Sequence, residues 1–396
     1  MLRNFLKLIS GNSLAQAIQL AALLFLTKIY QPEDFGILGK VQSISAILVI
    51  ISTLQLQYVI PLSKQEAEAE RSTNIIFSLL CYISFFSFFI AYFLSFEYSI
   101  AIILSCVLGI VNILTNYIIY KGQFGSLSII FIIRALSIVV LQLLFFFLKI
   151  ENGLIFGAIC GEFISMIGLI VSKKLYFMFN IFSVKIADIW NLIKDWKPYS
   201  LYGTIQEVLS VMVYSLPIIF YVDKFGDNIG GQFSMAYRII WAPTVLISSS
   251  LAQLLTHKFG QENDFTFLRS IFWFDKRLII LVVLGVIGLN YTNFINELYL
   301  GGKWNITFLL FPYMFINAVF FLFASPYRVA LRVKKLNVVI LVVEIITLLA
   351  ITALFYSFEA DVVTFTAAIC SISILQNILI VLGYYFRKEK DIEKTS

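Results

Sequence analysis

SLSIIFIIRALSIVVLQLLFFFL, residues 126–148, runs for 23 residues with a single charge, Arg134. A helix needs about 20 mostly apolar residues to cross the hydrocarbon core of a bilayer, so this stretch reads as a transmembrane span. Eleven further segments read the same way, at about 6–30, 35–61, 72–94, 99–120, 152–172, 198–222, 230–256, 277–295, 305–327, 336–356 and 361–386. These runs are about twice the length of a barrel strand and do not alternate apolar with polar residues, which excludes a β-barrel. The composition agrees. Of 396 residues, 60% are apolar and 13% charged, against roughly 45–50% and 25% in soluble proteins. Mean hydropathy is +0.92. The expected fold is an all-α polytopic membrane protein of about twelve transmembrane helices.

The chemistry excluded is broad. A single histidine, His257, rules out His-based metal clusters and a Ser-His-Asp triad. The four cysteines lie in apolar runs without CxxC spacing, so neither a disulfide framework nor a metal site is expected. No GxxxxGK[ST] loop occurs, so no nucleotide, and no other cofactor, is expected. The first span is too long for a signal-peptide core and is read as mature structure.

Basic residues in short loops set orientation. With the N-terminus in the cytoplasm, 22 of the 29 Lys and Arg residues fall on the cytoplasmic side. Only Lys28, Lys149, Lys224 and Lys303 fall outside, and Lys40, Arg134 and Arg238 lie within spans. Both termini are therefore expected in the cytoplasm. The connector at 176–197 carries IADIWNLIKDW, with Ile186, Ile189, Trp190, Ile193 and Trp196 at helical spacing, the pattern of a short interfacial helix. It separates an N-terminal six-helix bundle (1–175) from a C-terminal one (198–396). An offset of 194 relates Gly36 to Gly230 and Lys64 to Lys258, a weak sign of two parallel repeats with a substrate site between halves.

The stretch LISGNSLAQAIQLAALLFLTKIYQPEDFGILGKVQSIS (8–45) resembles the opening of bacterial polysaccharide flippases, the Wzx-like branch of the multidrug/oligosaccharidyl-lipid/polysaccharide (MOP) exporter superfamily. The matching residues are Lys28, Tyr30, Pro32, Glu33, Phe35 and Gly36. A second similarity is DNIGGQFSMAYRIIWAPTVLISSSLAQ (227–253), through Gly231, Ala236, Arg238 and Pro243; a third is ELYLGGKW (297–304). The chain departs from the pattern where relatives often place arginine at Lys28 and a basic residue near Gln55 and Gln57. The resemblance implies a bacterial inner-membrane protein, with substrate carried on undecaprenyl diphosphate. It implies a lipid-linked oligosaccharide as partner, alongside the lipid bilayer, a polysaccharide polymerase and other assembly proteins. No nucleic-acid partner is expected.

Charges within spans are costly, at least about 2.5–3.5 kcal/mol each, so each implies a partner, a wet cavity or a snorkelling escape. Arg134 reads either as an ion-pair partner of Glu162 or as a cavity cation facing phosphate. Arg238 reads either as a partner of Glu207 or as a phosphate fork beside Ser234, Trp241 and Ser248 on one helical face. Lys40 reads as a snorkelling lysine or a further cation. Arg134, Arg238, Lys40 and Lys28 are the candidate diphosphate contacts. Trp241, Tyr202, Gln206, Gln16 and Asn12 are the candidate glycan or gate contacts. Glu207, Glu162 and Glu344 are candidate protonation sites for ion coupling.

The function expected is a flippase moving a lipid-linked oligosaccharide by alternating access, for O-antigen, capsule or exopolysaccharide biosynthesis, and not an enzyme. An ion-coupled small-molecule exporter of the same superfamily is the alternative. A membrane-embedded glycan polymerase or ligase is less in keeping with external loops of at most about 15 residues. A scaffold for a glycan-assembly complex leaves the buried cations unexplained.

Overall fold

The computed structural model describes residues 2–93, 95–173, 175, 184–261, 268, 297, 302–334 and 336–393. Among these the chain is helical throughout, with α1 (Leu2–Ile29), α2 (Pro32–Thr53), α3 (Glu66–Tyr92), α4 (Phe96–Tyr120), α5 (Phe124–Phe147) and α6 (Gly153–Lys173). The short α7 (Ile186–Asp195) precedes a π-helical turn (Pro198–Gly203) and α8 (Thr204–Gln261). Then follow α9 (Asn305–Val333), α10 (Asn337–Ser357) and α11 (Val362–Glu393).

Among the described residues, ten helical segments are long and apolar enough to cross a membrane. One of them, 198–249, covers 52 residues and takes in two of the expected spans. As one straight helix it would be about 78 Å long, more than twice the hydrocarbon thickness. Helical geometry breaks inside it at Gly226 (φ 84°, ψ 169°), a conformation open to a residue without Cβ. The expected span at 277–295 lies outside the described residues.

The chain divides into two compact units, Met1–Val222 and Asp223–Ser396. In the first, α5 packs along both α1 and α6, while α4 packs on α2 and α3. Glycines allow the closest of these approaches. A Cβ at Gly157 would stand 2.7 Å from the Gln142 Cα, and one at Gly161 would stand 2.6 Å from the Ile138 Cα. Gly153, Gly157 and Gly161 recur every fourth residue on α6, the small-residue stripe by which membrane helices bring their backbones together. On the other flank of α5, a Cβ at Gly11 would stand 2.6 Å from the Ser128 Cα. The Tyr30 hydroxyl donates to the Gln142 carbonyl at 2.7 Å. Gln142 itself donates through Nε2 to the Leu154 carbonyl at 3.0 Å. One residue on α5 thus ties the ends of α1 and α6 together.

Sequence periodicity extends the second span to residue 61, but α2 stops at Thr53. Leu54 (φ 47°, ψ 34°) and Gln55 (φ 56°, ψ 8°) turn left-handed, and a 3-10 turn, Leu56–Leu62, carries the apolar run onward. Composition alone cannot show this break, because Leu56, Val59 and Ile60 are as buried as helix-core residues.

In the second unit, α9 packs along α11, and α10 packs on both. Tyr327, Leu331, Ile340, Ile380 and Tyr384 join Leu255 and Phe259 of α8 in one apolar core. The Gln232 Oε1 accepts from the backbone N–H groups of Ile306 (2.9 Å) and Thr307 (3.3 Å), satisfying amides that the start of α9 leaves without helical partners.

Candidate functional site

Arg134 lies about 15 Å along α5, a helix of about 36 Å, a little short of its middle. Its Nε donates to Glu162 Oε2 at 2.6 Å, and its Nη2 donates to Oε1 at 2.5 Å. The glycine stripe explains why they meet: Gly161 packs on Ile138, one turn from Arg134 along α5, and Glu162 is the residue that follows it. The Glu162 side chain is 8% exposed, whereas Arg134 keeps 29% of its side-chain surface open. The pair is neutral as a unit, with the carboxylate the more deeply buried partner.

Lys40, on α2, pairs through Nζ with Glu97 Oε2 of α4 at 2.8 Å. Glu97 lies in the first turn of α4, where the helix dipole favours an acid, so the lysine joins two helices at that end. Lys28 is exposed in the last turn of α1, where a cation is favoured.

The amide stripe of α1 adjoins the face that packs on α5. Gly11, Ala15, Ala22 and Leu26 are buried, while Asn12 and Gln19 are exposed and Gln16 is half-buried. An amide facing hydrocarbon without partners costs several kcal/mol, so this face suits a wet surface. Tyr202, in the π-helical turn, is 63% exposed; Gln206 is half-buried and Glu207 exposed on α8. These residues belong to the first unit, as do Arg134, Glu162, Lys28 and Lys40.

Arg238, Trp241 and Glu344 belong to the second. Trp241 is buried, with its ring edge-on to Phe321 at 4.9 Å and beside Tyr237 at 5.5 Å. Its indole is packed into an aromatic stack, and Ser234, on the same helical face, is buried with it. Ser248 shares a hydrogen bond with Ser325 at 2.7 Å. Arg238 is half-buried between these positions on α8, and Glu344 is buried on α10.

Two features escaped the reading of charges. One is the Gly153–Gly157–Gly161 stripe, visible in GLIFGAICG once spacing is counted for small residues as well as charged ones. The other is a cavity of about 690 Å³ where the α1–α2 and α5–α6 turns meet, lined by Tyr30, Asp34, Phe146, Lys149, Glu151 and Asn152 among others. Lys149 (φ 54°) and Asn152 (φ 55°) both adopt left-handed backbone in its wall.

A bundle of membrane-length helices with charges paired between neighbours defines the class: a polytopic helical membrane protein. Solved structures share that fold. An inward-facing multidrug resistance MATE family transporter of the MOP superfamily aligns with a TM-score of 0.68 at 11% identity, over 96% of each chain. A MOP superfamily transporter from Pyrococcus furiosus, described as having a binding pocket of reversed polarity, aligns with a TM-score of 0.55 at 11% identity. That alignment covers 97% of this chain and 95% of the other. Comparison with curated proteins gives no significant match. The chain belongs to the polysaccharide biosynthesis protein family, which it matches over residues 1–255.

Proposed function

We propose that this transporter is a flippase for a lipid-linked oligosaccharide, carried on undecaprenyl diphosphate, and that it works by alternating access from the cytoplasmic to the outer leaflet of a bacterial inner membrane. The observation that carries the reading is the family membership taken with Arg134: a protein of polysaccharide biosynthesis that holds a partly exposed arginine well inside a membrane-length helix. A diphosphate is too polar to cross hydrocarbon unaided, and a guanidinium offers it two parallel donors. Glu162 keeps the cation compensated while substrate is absent and becomes an alternative acceptor of a proton when a diphosphate takes its place on Arg134. The amides of Asn12, Gln16 and Gln206, with the Tyr202 ring, supply hydrogen bonds and stacking suited to sugar hydroxyls and C–H faces. Arg238, Lys40 and Lys28 are further cations for the head group. Glu207 and Glu344 are further sites for ion coupling.

The six-plus-six helix organisation about a connector at 176–197, with both termini cytoplasmic, belongs to the same reading. So does association with a polymerase and other assembly proteins. The test in the cell is deletion of the gene in its native host, followed by analysis of lipid-linked saccharides by leaflet. Accumulation of a completed repeat unit on the cytoplasmic leaflet supports the flippase. Accumulation of single units on the outer leaflet contradicts it and points to a polymerase.

A further inference from the structure

We infer that α7 is an anchor for an anionic membrane surface: Ile186 and Trp190 enter the leaflet, and the neighbouring lysines engage its phosphate-bearing head groups. The inference is independent of which substrate is carried. It rests first on where α7 lies. Asp188 accepts from Arg71 Nη2 of α3 at 2.8 Å. Arg71 closes the polar start of that helix, EAEAER, whose charges mark the water boundary before the apolar run begins. A helix held there lies at membrane-surface level, beside the start of α8.

The faces of α7 supply the second argument. At about 100° per residue, Ile189, Leu192 and Trp196 share one side of the helix. Ile189 and Leu192 are buried in the apolar core of the first unit, and Trp196 packs against it. Ile186 and Trp190 fall on the adjoining side and are 80% and 57% exposed. Asn191 and Asp195 occupy the side opposite these, also exposed. One sector is therefore docked, the next is apolar and open, and the third is polar, as a helix lying between protein, lipid and water requires.

Charge selects the occupant. Lys194 borders the open apolar sector, with its Nζ 5.4 Å from the Trp190 ring centroid, and the exposed Lys185 and Lys197 stand just before and just after the helix. The acids of the segment are placed elsewhere: Asp188 is taken up by Arg71, and Asp195 lies on the polar side. A basic rim around apolar side chains complements anionic lipid, where each lysine near the surface contributes about fivefold in binding. An apolar protein partner would need no such rim.

The test uses full-length protein in which the four native cysteines are replaced and one spin label is placed at Ile186→Cys, Trp190→Cys or Asn191→Cys. All three positions are exposed, so labelling leaves the docked face intact. Each is reconstituted in vesicles of phosphatidylcholine alone or of phosphatidylcholine with phosphatidylglycerol at 7:3. In the anionic vesicles, labels at 186 and 190 should be accessible to oxygen and shielded from a nickel chelate, and the label at 191 should show the reverse. Without phosphatidylglycerol, or with Lys185, Lys194 and Lys197 all changed to Gln, the shielding at 186 and 190 should fall several-fold. Labels at 186 and 190 open to nickel in both vesicles would overturn the inference. So would shielding indifferent to phosphatidylglycerol, or shielding that appears only as protein density rises, which would assign the face to a second copy of the chain.

Discussion

Arg134 of α5 and Glu162 of α6 face each other as a two-pronged ion pair beside the point where Gly161 lets the two helices touch. Its energetic consequence follows from burial. Removing the guanidinium leaves a carboxylate that is 8% exposed inside a membrane bundle. Arg134→Ala should therefore lower stability by about 3 kcal/mol, and adding Glu162→Gln should recover most of that loss. Transport should not recover with it, because the double variant still lacks the cation. Thermal unfolding and flipping assays on the two single variants and the double variant separate a structural role from a substrate-binding one. Recovery of both properties would leave Arg134 with a structural role alone.

The seam itself is testable without touching charge. Gly157→Ala and Gly161→Ala place a methyl group 2.7 Å and 2.6 Å from backbone atoms of α5, so each should cost about 1–3 kcal/mol. Gly168→Ala, on the same helix, meets nothing within 4 Å and should be close to neutral. Equal thermal stability of all three variants would contradict the close approach.

Much of this arrangement was legible in the residues. Length and apolar content announce the spans; the expected segments at 198–222 and 230–256 fall on either side of the Gly226 interruption. The Arg134–Glu162 pairing follows from two charges at matching depth on neighbouring helices. What stayed hidden depends on backbone conformation or on partners distant in sequence. The left-handed break at Leu54 and Gln55 carries no glycine or proline of its own to announce it. Lys40 has no acid within helical reach, and only the packing of α2 on α4 brings Glu97 to it. Nothing near Trp241 in sequence announces Phe321, eighty positions later, whose ring centroid lies 4.9 Å from its own.

Asp188 links α7 to pH. Its carboxylate accepts from the Lys185 backbone N–H and from Arg71, and these hold its pKa below the ordinary aspartate value of 3.8. A depressed carboxylate contributes stability that is fully present above the ordinary value and disappears as pH falls through the lower folded one. Protection of the 184–197 segment from protease should thus be constant from neutral pH down to about 4 and fail only in stronger acid. In Asp188→Asn, protection should be weakened at every pH. A loss of protection near pH 6 in the parent protein would contradict the assignment.

Arg238 is the candidate diphosphate contact in the second unit. If it contacts the diphosphate, Arg238→Ala should abolish transport at normal membrane levels of protein. Arg238→Lys should restore only part of it, since an ammonium lacks the paired donors. If it serves Glu207 instead, the alanine variant should unfold at lower temperature and a second change, Glu207→Gln, should rescue expression and transport together.

Topology follows from the distribution of basic residues. In a background without native cysteines, single cysteines at Ser63 and Gln123 should be shielded from impermeant thiol reagents in intact cells. Cysteines at Glu33 and Glu151 should label. The inverted pattern would reverse every inside and outside assignment, including the leaflet that α7 meets.

The central claim is tested most directly by moving the substrate itself. Purified protein is reconstituted in proteoliposomes with a fluorescent oligosaccharide on undecaprenyl diphosphate, and an impermeant quencher reports the fraction in the outer leaflet over time. Parent protein should equilibrate the lipid between leaflets without lengthening or cleaving the glycan, and Arg134→Ala should return the rate to that of empty vesicles. Parent vesicles that exchange the lipid no faster than empty ones, yet expel a small cationic drug along an ion gradient, would contradict the account.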